Sequence, residues 1–87
     1  MVSRSFIIYG LNDANYIFYI SNIDPIVWST NILSAKHYDD YYKAEAQIIK
    51  DYDNYNSFKK LLNTRTLSSI FVGEIVDGEE IGRVQVL

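Results

Sequence analysis

At 87 residues, with 48% apolar and 22% charged side chains, the chain has the composition of one folded domain and is too short for two independent cores. It contains no cysteine, which excludes disulfides and thiolate metal sites and points to a reducing compartment. The formal charge of −3 is concentrated: residues 37–56 hold five acids against two bases, while the other 67 residues carry six of each, so nothing resembles the basic patch of a phosphate-gripping protein.

In chain order, SRSFIIYG and NYIFYISN are two β-rich runs separated by LNDA, a loop whose asparagine and aspartate suit chain reversal. They predict an N-terminal hairpin with Ile7, Tyr9, Tyr16, Phe18 and Ile20 opposed to Phe6, Ile8, Ile17 and Tyr19. Both faces are then apolar or aromatic, and the one away from the core is either covered or sticky. The first apolar run stops at Leu11, before a signal-peptide core is complete, and no run approaches the roughly 18 residues of a membrane span. The expectation is a soluble cytoplasmic protein, in whatever cell makes it, with no membrane partner.

Asp24-Pro25 interrupts the pattern, and IVWS predicts a short third strand. TNILSAKHY reads as a single helical turn followed by an extended piece. Asp39 or Asp40 then caps a helix, where a carboxylate accepts from free amides at the positive end of the dipole. Tyr41, Ala44, Ile48, Tyr52 and Tyr55 recur at helical spacing, and Tyr42, Ala46 and Ile49 widen the stripe. DYDNYN is poor in helix formers, so the helix ends near Tyr52 and restarts as SFKKLLN, with Phe58, Leu61 and Leu62 inward and Lys59 and Lys60 outward.

SSIFVGEIV and EEIGRVQVL flank Asp77-Gly78, a type I′ hairpin turn by composition. A regular hairpin places Phe71, Ile75, Val84 and Val86 on one face, with Gly73 and Gly82 as thin spots for a helix or ring, and lets Glu74 pair with Arg83 on the other. Hairpin, helix and hairpin close most simply as a single α+β domain spanning residues 1–87. It has two layers: an antiparallel sheet from the N- and C-terminal hairpins, with one helix, or a broken pair, packed on one face. The inward tyrosines lay their rings on the sheet and keep their hydroxyls at its rim.

Catalytic signatures are missing. His37 stands alone, without cysteine or a second histidine to anchor zinc, and reads as a surface group near a helix start. DYDNYN places oxygens at alternate positions but lacks the glycine and closing glutamate of a Ca²⁺ loop. No glycine-rich phosphate cradle or nucleophilic serine elbow occurs. No cofactor, metal or catalytic residue is therefore expected, and no direct contact with nucleic acid. Trp28 reads first as a half-buried core anchor and second as an edge hot spot.

The segment WSTNILSAKHYD, residues 28–39, followed by an alanine-containing helix, resembles a pattern in small uncharacterised proteins of phages and prophages of low-GC Gram-positive bacteria. That resemblance spans the middle third of the chain and implies an accessory protein that acts by binding, inhibitors of host defence such as anti-CRISPR proteins being among its kind. The residues themselves point the same way. Asp39, Asp40, Glu45, Asp51 and Asp53 with Tyr42, Tyr52 and Tyr55 form an acidic, tyrosine-rich helix face able to meet a basic surface on a host or phage protein, with Trp28 as a further contact. Two alternatives stand beside this: self-association as a homodimer through an edge strand or the second hairpin face, and an enzyme of unspecified type.

Overall fold

Two runs, SFIIYGL and SIFVGEIV, are apolar at both parities, and in the computed structural model they become the inner strands of the sheet, where both faces are covered. Residues 3–22, 26–50, 52 and 58–87 are described. Strand β1 (Arg4–Leu11) pairs along its whole length with β4 (Ser69–Val76). Outside them lie β2 (Ile17–Asn22), the short β3 (Val27–Ser29) and β5 (Glu79–Gln85), giving one antiparallel sheet in the order β3-β2-β1-β4-β5. Helices α1 (Tyr41–Lys50) and α2 (Phe58–Asn63) pack on one face. The expected α+β sandwich is the observed fold, with the helix divided in two.

The helix side buries Ile8, Ile20, Ile70 and Val72 of the sheet against Ala44 and Ile48 of α1, Phe58 of α2 and Leu67. The inward stripe of α1 is narrower than its sequence implies. Tyr41 is half-buried and Ala44 and Ile48 are fully buried, but Tyr42 and Ile49 are 71% and 59% exposed and Ala46 faces solvent. Each lies about 100° or more round the helix from the buried line, beyond the reach of a sheet that supports one side only. In α2 the pattern is as expected, with Phe58 buried, Leu61 and Leu62 against the core and Lys59 and Lys60 exposed.

The opposite face is also covered. A 3-10 turn (Ile32–Ser34), whose Leu33 N–H donates to the Asn31 side chain, brings Ile32 and Ala35 onto Ile7, Tyr9, Phe71 and Ile75. The chain then runs extended, as TNILSAKHY predicts. Lys36 N–H donates to the Ile20 carbonyl at 2.9 Å and Tyr38 exchanges two 2.8 Å bonds with Phe6, so this segment fills the fork where β2 leaves β1.

Two expected registers are corrected. In the first hairpin Tyr9 faces Tyr19 and Gly10 faces Phe18, so Ile7 and Tyr9 share a face with Tyr19, while Phe6 and Ile8 share the other with Phe18 and Ile20. The strand extends through Leu11, and the loop closes on Asn12, whose Oδ1 accepts from Ala14 and Tyr16 while Asn15 takes φ 64°. In the second hairpin the turn is as expected, with positive φ at both Asp77 (51°) and Gly78 (85°). A bulge follows, because Glu74 faces Gly82 but Ile75 faces Glu80, leaving Ile81 as the extra residue. That one insertion moves Val84 and Val86 to the helix side, away from Phe71 and Ile75, and carries Arg83 to the face away from Glu74. The Glu74–Arg83 pair therefore does not form: Glu74 pairs with Arg4 at 3.2 Å and Arg83 lies over the Phe71 ring.

Candidate functional site

Helix α1 enters over the sheet at Asp40, whose carbonyl accepts from Ala44 N–H, and its first turn stands beside the edge strand. Tyr41 and Tyr42 on the helix, Phe6 and Val72 on the inner strands, and Gly82, Arg83 and Val84 on β5 line a groove of about 440 Å³, with Glu74 in its wall. The Tyr41 ring meets Phe6 edge-on at 6.2 Å and Tyr42 at 5.3 Å. Its hydroxyl donates to Glu45 Oε2 at 2.6 Å, and that bond, with burial second, pushes the phenol up to about 12. Tyr42 is thus left as the outer lip, exposed and held between an acidic helix start and an apolar floor.

The sequence-predicted contact residues are only partly brought together. Asp39, Asp40 and Tyr42 share the exposed start of α1. Lys43 bridges to Asp39 at 2.9 Å, one turn on, and holds that carboxyl below its usual range. Glu45 is half-buried and bonded to Tyr41, so it serves the helix face and not the outer surface. Tyr52 is half-buried against the helix-side core. Asp51, Asp53 and Tyr55 lie outside the described residues. Trp28 sits at the far edge, on β3, with its ring 5.6 Å from Phe18 and beside a second groove of about 270 Å³. It is half-buried against the helix-side core on an edge strand, and the width of the sheet separates it from Tyr42.

The sequence marked Gly82 as a thin spot for a helix or ring but placed neither it nor Val84 in the candidate site. The available signal was the isolated glycine in a strand pattern, which marks a bulge or a close approach. His37 is exposed, its Nδ1 2.7 Å from Ser5 Oγ. Among the described residues no three histidine, aspartate or glutamate side chains converge as metal ligands, and no described helix is long and apolar enough to cross a membrane. No family model, curated protein or solved structure matches the chain.

Proposed function

We propose that this chain is a small binding protein without enzymatic activity that meets a basic surface on another protein through the start of α1 and the adjoining groove. The supporting observation is Tyr42, a large ring 71% exposed beside Asp39 and Asp40 and above an apolar floor. An aromatic anchor in a polar, acidic rim is the arrangement that concentrates binding energy while steering a cationic partner. The resemblance of residues 28–39 to phage and prophage proteins supports a host or phage protein as that partner, and inhibition of a host defence system as the biological role.

The test compares partner capture from a Gram-positive lysate by the wild type, Tyr42→Ala and Asp39→Lys/Asp40→Lys. The expected result is one partner retained by the wild type, lost with Tyr42→Ala, and lost with the charge reversal most completely at low salt. Equal capture by all three proteins removes this surface as the binding site.

A further inference from the structure

The groove between α1 and β5 is walled by rings. Phe6 meets Tyr41 at 6.2 Å with 76° between their planes, and Tyr41 meets Tyr42 at 5.3 Å with 81°. Rings set near right angles bound a space on different sides, where stacked rings would close on one another. Phe6, Glu74 and Gly82 stand in one row across β1, β4 and β5, which turns the Glu74 carboxylate toward the same space. The missing side chain at Gly82 leaves that space open, since a Cβ built there meets nothing within 4 Å. Val72 and Val84 line it below.

Aromatic rings and a carboxylate around an apolar floor suit a weakly hydrated cation, which the negative ring faces attract without having to replace hydrogen bonds to water. Acceptors in the lining are few. The Tyr41 hydroxyl is given to Glu45, and Glu74 already receives Arg4 Nε at 3.2 Å. An unmodified ammonium, with its three N–H donors to satisfy, fits such a lining poorly. The charges agree: Asp39, Asp40, Glu45 and Glu74 stand in or beside the groove against Lys43 and Arg4. Arg83 also lines the groove, but its guanidinium lies over Phe71 on the opposite face of the sheet, where it and Glu80 both act on the Tyr9 hydroxyl.

We propose that the groove is a site for a methylated ammonium, the end of an N-methylated lysine side chain of the partner, held among the Phe6, Tyr41 and Tyr42 rings with Glu74 as its counter-charge. This rests on the binding reading above and names the group that the basic surface inserts beside Tyr42.

The probe is a capped glycine-lysine-glycine peptide with the lysine trimethylated, unmodified, or replaced by a carbon isostere whose tert-butyl end keeps the shape and removes the charge. NMR titration of the full chain follows the Phe6, Tyr41 and Tyr42 ring signals and the Gly82 amide. The expected result is a shift of all four by the trimethyllysine peptide, with at least tenfold weaker binding of the isostere and of unmodified lysine. Tyr42→Ala abolishes the remaining shifts, Tyr42→Phe keeps them because the ring and not its hydroxyl is used, and Glu74→Gln weakens binding. An isostere that binds as tightly overturns the cation site. Unmodified lysine that binds as tightly overturns the methylated ligand, and a response to choline with none to the peptide overturns a lysine as its source. If Tyr42→Ala abolishes lysate capture while the trimethyllysine peptide shifts nothing, the ammonium site falls and the acidic surface stands; if capture is unaffected as well, both fall.

Discussion

The Tyr9 hydroxyl donates to Glu80 Oε1 at 2.7 Å, joining the central strand to the edge strand across the whole width of β4. The reach is possible because Gly73 lies between them without a side chain; a Cβ there would stand 2.9 Å from Tyr9 Cε1. Glu80 pairs with Ile75 and so shares the face of Tyr9, and the Ile81 bulge brings Arg83 to that face as well. Around this bond the Tyr9 ring stacks on Phe71 at 5.5 Å, and Arg83 covers Phe71 from outside.

Gly73→Ala therefore pushes a methyl into a fully buried ring that Phe71 and Tyr19 hold in place, and costs about 1–3 kcal/mol. Gly82→Ala, on the next strand, meets open space and gains roughly 0.5 kcal/mol by restricting the unfolded chain. Urea melts of the two variants separate a glycine required by packing from one that only leaves room. Equal effects would mean that Tyr9 shifts aside freely.

The same hydroxyl sets a pH limit. Burial, then the bond to Glu80, pushes the Tyr9 phenol up to about 12 from its usual 10, with Arg83 partly offsetting the shift. A folded-state value above the unfolded one means that the folded chain keeps its proton longer. The stabilisation is complete below pH 10 and is lost as the pH rises from 10 through about 12, a decline on the order of 2 kcal/mol. Tyr41 adds to the loss in the same window through its bond to Glu45. Thermal melts between pH 9 and 12 should fall for the wild type and flatten for Tyr9→Phe/Tyr41→Phe.

How much of this was legible in the sequence follows from which signals were local. Asp77-Gly78 dictated its own turn, TNILSAKHY its single helical turn, and Tyr41, Ala44 and Ile48 their helix face, because each depends on neighbours in the chain. The bulge at Ile81 was not legible: a two-residue turn followed by unbroken alternation predicts Phe71 opposite Val84, and one extra residue reverses every side chain beyond it. Gly10 was equally silent. It is needed because Leu67, 57 positions away, lies over it, 2.5 Å from where a Cβ would sit. The candidate site suffered most, since it lies between α1 and β5, two elements whose adjacency only the strand order reveals.

The close of α2 carries a local misfit. Arg65 follows the helix at φ 59°, its N–H on the Leu62 carbonyl, while the Thr64 hydroxyl reaches the Lys60 carbonyl. This left-handed position ends a helix, but it strains any side chain larger than glycine. Arg65→Gly is expected to raise stability by about 0.5–1 kcal/mol, seen as a higher urea midpoint at unchanged slope. A decrease would show that the exposed arginine makes a contact worth more than its backbone strain.

The two faces of α1 supply a final contrast. Ile48 is fully buried beside Phe58 and Val72, so Ile48→Ala removes packed methyl groups and costs about 2–5 kcal/mol. Ile49 and Tyr42 are mostly exposed, and Ile49→Ala or Tyr42→Ala should change stability by less than about 0.5 kcal/mol. Alanine is also the better helix former at both positions, so a small gain is within expectation. Denaturation curves that match the wild type for Tyr42→Ala, together with lost partner capture, would assign the ring to recognition. A large loss of stability would instead place Tyr42 in the support of Tyr41 and Phe6, and the groove would then be a seam of the fold.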